Sequence, residues 1–354
     1  MVTAQPINER DFQNTANLLA SAFGGEARRY ELWFEHWWAL NPAWHSDIPR
    51  GWVVRSDQDK PIAFTANIPF RQAFDGRLGL CCATGCTVVQ AAFRRRGLGA
   101  AVGSQFVNQP NVDLVIGVES TDAALKLWRS LGLTELERQW QKINFRVLGD
   151  VAALTKSLSA RAGLPKPIGP MMARATSWML TPFETSAKNF RGLSVEVASI
   201  FQPKDDDAIV TLRASDATIF QWRDVKTLNW LYFGTSYVSQ TRVVLVARSG
   251  GALMGYLAMK CWGLGAYYLL ECRTRDADPE IAQVLMASAR TYAKSQNARY
   301  VFVRPYTPMV QRTLPRSLSF RKNQPFMSYC YKFCKPVGID CWEATPGDGD
   351  LSVS

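Results

Sequence analysis

Histidine is nearly absent: the 354-residue chain carries two, His36 and His45. An imidazole-built metal site needs more, and the eight cysteines do not supply the difference. They stand at Cys81, Cys82, Cys86, Cys261, Cys272, Cys330, Cys334 and Cys341, with no CxxC pair answered by a second at zinc-finger spacing. No metal is expected, and the pattern fits free buried thiols in a reducing cytoplasm better than a disulfide framework. Long apolar runs are missing as well; none approaches the roughly 20 residues that cross a bilayer. Met1 to Arg10 lacks a basic segment followed by an apolar one, so no secretion signal is read and a cytoplasmic location is expected. Basic runs are scarce although the net charge is +11: Arg94-Arg95-Arg96 is the only triplet. A scattered excess of that kind permits an anionic partner but is not the footprint of a nucleic-acid surface. Neither nucleic acid nor membrane is expected as partner.

What is present supports a large core. Hydrophobic residues make up 47% and charged ones 20% of the chain, and its length allows two domains or one large one. The stretch Arg94-Arg95-Arg96-Gly97-Leu98-Gly99-Ala100 follows a β-branched run, Thr87-Val88-Val89, and opens a helix-like run to Asn108. A strand turning through glycines into a helix start can hold a phosphate, because the first helical N–H groups are unpaired and carry the positive end of the dipole. Gly97 and Gly99 remove Cβ from the approach, and the arginines add charge. A basic turn that merely caps a surface helix is the plainer alternative.

The order Thr87-Val88-Val89, four residues, then Arg94-x-x-Gly97-x-Gly99 resembles motif A of the GNAT acyl-CoA transferase superfamily. A second stretch lies where that superfamily places its next motif. Asp113 to Val118 reads as a strand, and Thr121-Asp122-Ala123-Ala124-Leu125-Lys126-Leu127-Trp128-Arg129-Ser130-Leu131-Gly132-Leu133 resembles the Asn-x-x-Ala-x-x-Leu-Tyr-x-x-x-Gly-Phe helix. The likeness covers residues 1–148 well. It implies an α/β fold with a mixed sheet, acetyl-CoA or another acyl-CoA as co-substrate, and direct attack of an amine on the thioester. It also implies that the pantetheine arm adds beside Thr87, Val88 and Val89, and that the N–H groups of Arg95 to Ala100, among them Arg96, Gly97, Leu98 and Gly99, hold the diphosphate. Thr121 stands where the family often has Asn, and Trp128 where it often has Tyr, the usual acid for the thiolate. Indole N–H donates a hydrogen bond but is no general acid near neutral pH.

Element order extends the likeness. The first half reads β-α-α-β-β-β-α-β-α-β, with helices over residues 11–23 and 28–40 and a last strand over 141–147. The second half repeats that order without the Arg-x-x-Gly-x-Gly loop: helix 279–295, strand 298–303, short helix 307–318 and closing strand 327–333. Two GNAT-like units in tandem are therefore expected, of the kind found in bacterial proteins. Residues 1–149 would carry the acyl-CoA site. A helical linker would span 150–195, a second unit without a CoA loop 196–336, and a polar tail 337–354. The groove between the units is a plausible acceptor site for an amine of a small molecule, amino sugar or protein.

The best base candidate is Glu119, at the end of the strand before the second motif; a solvated loop carboxylate is the other reading. His36 sits in an aromatic helix with Trp33, Trp37 and Trp38, a packed histidine rather than a base. Trp33, Trp37, Trp38 and Trp44 read as core packing or as the wall of a substrate groove. Cys82 and Cys86 share a face by strand alternation and read as packing. The function implied is acyl-CoA-dependent N-acyltransfer; the alternative is a non-catalytic acyl-CoA-binding protein of the same fold. The sequence leaves the oligomeric state open.

Overall fold

A computed structural model describes residues 3–74, 76–118, 121–135, 145–149, 171, 192–213, 215, 217, 219–261, 265–298, 300–303, 308–313, 319–320, 330–334 and 342–343. The chain divides into two compact units with alternating segments. Met1–Gln141, Ala217–Tyr237 and Gln324–Ser354 form the first, and Lys142–Asp216 and Val238–Asn323 the second.

The first unit is built on one sheet in the order β1 (Gln5–Pro6), β2 (Gly51–Arg55), β3 (Pro61–Phe74), β4 (Arg77–Val89), β5 (Leu114–Gly117), then Cys330–Phe333 and β6 (Thr134–Glu135). Ile219–Gln221 pairs with the far end of β3 and Trp342–Glu343 with Ile219–Gln221. Neighbours are antiparallel except for β4 with β5 and Ile219–Gln221 with Trp342–Glu343. One face is covered by α1 (Phe12–Phe23) and α2 (Ala27–Phe34): Phe34 meets Phe64 of β3 at 6.1 Å, and Trp38 Nε1–H donates to the Asn67 carbonyl at 2.9 Å. The other face carries α3 (Leu98–Val107) and α4 (Asp122–Ser130), whose Val102, Phe106, Leu125 and Trp128 pack with Trp52 and Val115 of the sheet.

The expected helix over 28–40 changes character midway. After Phe34 the chain loosens into a π turn, Glu35–Ala39, which buries His36, Trp37 and Trp38 together. Asn41 then ends it, its amide donating to the Trp37 carbonyl at 3.0 Å and to the Pro69 carbonyl of β3 at 2.8 Å.

The second unit holds a sheet in the order Ser319–Phe320, Phe145–Gly149, Tyr300–Val303, Ala266–Arg275, Ala252–Cys261, Arg242–Ser249, Leu193–Ala198, with Leu212–Arg213 on Ala266–Arg275. Helix Pro279–Ser295 buries Ile281, Val284 and Leu285, the apolar stripe its sequence lays out, and Asp278 caps it.

One expectation is corrected. The strand read as closing the first half, represented by Phe145–Gly149, pairs with Tyr300–Val303 in the second sheet. The strand read as closing the second half, Cys330–Phe333, pairs with β5 in the first. An apolar strand pattern fixes an element's type; its partner is chosen by which sheet edge needs covering. The helical linker expected over 150–195 lies outside the described residues apart from Met171 and residues 192–195, and the polar tail expected over 337–354 apart from Trp342–Glu343.

Candidate acyl-CoA site

The site grows from an irregularity in β4. Along the β3–β4 hairpin the register runs Phe64↔Val88 and Thr65↔Thr87, then jumps to Asn67↔Thr84. Two residues of β4, Gly85 and Cys86, thus stand opposite Ala66 alone, a β-bulge. The space under the bulge is already full. A Cβ on Gly85 would meet Ala66 Cβ at 2.9 Å, Ile68 Cδ1 at 3.1 Å and the Trp37 ring at 3.2 Å, so glycine is required and the π turn's tryptophan props the bulge.

The neighbouring strand ends at the same place. β5 pairs in parallel with β4 only from Cys81↔Leu114 to Thr84↔Gly117. Among the described residues no strand pairs with β4 beyond Thr84 on that side. Hairpin parity shows what this free edge offers. Gln90 N–H donates to the Ile62 carbonyl at 2.8 Å, so Phe64↔Val88 is a hydrogen-bonded pair while Thr65↔Thr87 and Ala63↔Val89 are not. The peptide groups of Thr87 and Val89 therefore turn away from β3, toward the vacated side.

The free edge runs directly into the arginine–glycine loop. A 3₁₀ turn, Ala91–Phe93, leads to Arg94, whose Nε donates to the Val89 carbonyl at 3.3 Å. Arg95 takes a left-handed φ of 63° and Gly97 one of 76°, and Gly97 caps α3. The first helical bond is Ala101 N–H to Gly97 C=O at 3.0 Å, which leaves the N–H groups of Leu98, Gly99 and Ala100 without an acceptor inside the helix. A Cβ on Gly97 would meet nothing within 4 Å, so the loop is open above it, while one on Gly99 would touch Leu127 and Val89 at ordinary contact distance. Arg94, Arg95 and Arg96 are exposed, with Arg96 lying 5.2 Å over the Phe93 ring. Thr87, Val88, Val89 and the whole of Arg94 to Ala100 are thus brought into one continuous strip. An unpaired strand edge can take an extended amide-bearing chain, and a basic helix N-terminus can take its phosphates.

Other predicted site residues are placed differently. Thr121 caps α4, accepting from Ala124 N–H at 3.3 Å. Trp128 is 1% exposed; it packs on Phe106 at 5.8 Å and against the bare backbone of Gly103, where a Cβ would lie 3.1 Å from its ring. Its indole belongs to the core between α3 and α4. Glu119 and Ser120 lie outside the described residues. His36 is buried and stacked on Trp230 at 5.2 Å, and His45 is exposed with Asp47 at 3.7 Å. Trp33, Trp37 and Trp38 are all buried, which assigns them to packing. Burial pushes the thiols of Cys81 and Cys82 up, so they stay protonated and unreactive. Alternation counted from Cys82 to Cys86 fails, because the bulge adds a residue between them.

Two threonines, Thr65 and Thr84, were not singled out by the sequence. With Thr87 they close a hydroxyl triangle: Thr65 to Thr87 2.7 Å, Thr65 to Thr84 3.1 Å, Thr84 to Thr87 3.2 Å. Residues three apart on a regular strand point to opposite faces; the bulge resets the parity and puts Thr84 and Thr87 on one. Gly85 within a β-branched strand was the available signal.

No family model and no curated protein matches the chain. Solved structures do. A GCN5-related N-acetyltransferase from Kribbella flavida superposes with a TM-score of 0.58 at 18% identity, covering 93% of this chain and 70% of that one. A probable N-acyltransferase from Enterococcus faecalis, otherwise described as a conserved protein of unknown function, gives 0.60 at 11% identity over 92% and 71%. The chain has the GNAT fold. Saccharomyces cerevisiae N-myristoyltransferase, solved with bound myristoyl-CoA, matches with 0.54 at 13% identity over 93% and 82%. In GNAT-fold terms the strip from Thr87 to Ala100 coincides with the residues that carried the motif A resemblance. None of the described helices is long and apolar enough to cross a membrane.

Proposed function

We propose that this chain is an acyl-CoA-dependent N-acyltransferase, with acetyl-CoA as donor and a primary amine as acceptor. One observation carries the reading: the unpaired edge of β4 at Thr87 and Val89 runs straight into the open N-terminus of α3. The residues fit the group. The Thr87 and Val89 peptides would pair with the amides of the pantetheine arm, the N–H groups of Leu98, Gly99 and Ala100 would receive the diphosphate, and Arg94 to Arg96 would add charge. When bound, acyl-CoA supplies an activated thioester carbonyl. Holding it extended along a rigid strand fixes the carbonyl for attack. The bound myristoyl-CoA of the yeast N-myristoyltransferase supports an acyl-CoA ligand for this fold. The repeated hairpin in the second sheet, where Ala258/Met259 again meets a register shift beside a parallel strand, supports two GNAT-like units in tandem.

Calorimetric titration of the full chain with CoA and acetyl-CoA tests the reading. Gly97→Glu should weaken both by about a hundredfold or more, the loss of two charge-assisted hydrogen bonds at about 1.5 kcal/mol each. Unchanged affinity in a folded variant removes the diphosphate from this loop. The burial of Trp128 favours a second reading, a protein that binds acyl-CoA without transferring it. Binding with no turnover over a broad panel of amines would select that one.

A further inference from the structure

The hydroxyl triangle joins two buried threonines to one half-buried threonine at the bulge of β4. Three hydroxyls hold three protons. Thr84 Oγ1–H donates to the Gly85 carbonyl at 2.8 Å. Thr65 is fully buried and its shortest contact is Thr87 Oγ1 at 2.7 Å. Either oxygen can donate across that contact; where Thr65 donates, Thr87 accepts from below and keeps its own proton for the site, the contact to Thr84 being the longest of the three at 3.2 Å. An oxygen that accepts a hydrogen bond is a stronger donor in turn. Thr87 is the half-buried member, and its own peptide faces the free edge of β4. Meanwhile Trp128, sealed against Gly103 and Phe106, offers no acid from α4.

Resting on the acyl-CoA reading above, we propose that the Thr87 hydroxyl, oriented by Thr65 and Thr84, is the catalytic donor that stabilises the sulfur of the departing CoA thiolate. The step balances without an acid. The acceptor nitrogen bonds to the thioester carbonyl carbon, the carbon–sulfur bond breaks, its electron pair stays on sulfur, and the nitrogen's proton passes to a base on the acceptor side. Thr87 gives up no proton; its O–H points at the sulfur and spreads the new charge. A thiol of ordinary pKa, about 8.5, leaves as thiolate readily enough that one well-placed hydrogen bond is sufficient help.

The test needs no acceptor. CoA and desulfo-CoA, which lacks the sulfur, are titrated into the full chain from pH 7 to 10. A donor at the sulfur lowers the thiol pKa in the complex, so CoA affinity should rise relative to desulfo-CoA above the bound pKa and level off above the free one. Each unit of lowering is about a tenfold gain. Thr87→Val should abolish the gain, read as the ratio of CoA to desulfo-CoA affinity, and Thr87→Ser should retain it. A flat ratio in the wild type, or an undiminished gain in Thr87→Val, overturns this role and leaves the acyl-CoA reading standing. Failure of both ligands to bind overturns both. Should Thr87→Val not fold, Thr65→Val carries the test: with its orienting hydroxyl gone Thr87 swings toward Thr84 and the gain shrinks, and an unchanged gain overturns the proposal.

Discussion

Trp128 shows how packing can claim a side chain. At a position where the GNAT resemblance implies a tyrosine, the larger indole fills the gap left by Gly103 and closes the core between α3 and α4. Trp128→Tyr should therefore act as a core mutation. It removes ring volume and brings a hydroxyl among Phe106 and Gly103, costing about 1–3 kcal/mol in urea unfolding. It should not speed acyl transfer; a rise in turnover would place this position at the reaction and sink the packing assignment. Glu119 belongs to the same scale as the proposed base. Glu119→Gln should lower kcat by roughly 10²- to 10⁴-fold, the span of general-base catalysis, with CoA affinity unmoved. An unaltered kcat would exclude it. The arginine–glycine turn was legible in the sequence because its geometry is local: seven consecutive residues carry the turn, the charge and the helix start. Thr65 was not legible as a partner of Thr87, because they stand 22 positions apart with a bulge between them.

Elements explain why that bulge exists where it does. A π turn in place of regular helix lets Trp37 and Trp38 both reach the sheet, and Trp37 lands on Gly85. The bulge in turn sends the β4 peptides toward the vacated side just where β5 stops. Helix, bulge and free edge are thus one packing solution, and none of the three is encoded within a single element. The helix expected over 28–40 is correct in type, but its change of helical pitch is set by the sheet below it. The same holds for the length of β3, which runs to Phe74 because β4 and Ile219–Gln221 supply partners on both sides. Gly85→Val tests the coupling. Contacts of 2.9 to 3.2 Å with Ala66, Ile68 and Trp37 leave no room for a side chain. The variant should lose about 1–3 kcal/mol of stability, the usual cost of overpacking, and bind CoA more weakly as the edge shifts. Full stability with normal CoA affinity would mean that the bulge does not depend on Trp37.

At the scale of the whole chain, the first sheet is finished by a strand, Cys330–Phe333, far along the chain from the β5 it covers. Its β5 has β4 on one side and needs Cys330–Phe333 on the other, and Cys330 and Tyr331 are buried in that position. The periodicity of 330–333 announced a strand, but a strand's hydrogen-bonding edges are the same whichever sheet receives them, so its placement could not be read locally. This makes the C-terminal segment structural for the half of the chain that carries the arginine–glycine loop. A chain ending at residue 323 should lose the burial of Cys330 and Tyr331 and the ladder bonds to Leu114 through Gly117. Two buried side chains at about 1.5–3 kcal/mol each are a large share of a stability of about 5–15 kcal/mol. We expect that truncated chain to show early loss of hydrogen-exchange protection in β4 and β5, with Arg242–Ser249 and Ala252–Cys261 of the second sheet still protected. Should β4 and β5 stay protected while CoA still binds, the late strand would be a mere covering, and the first sheet would be complete without it.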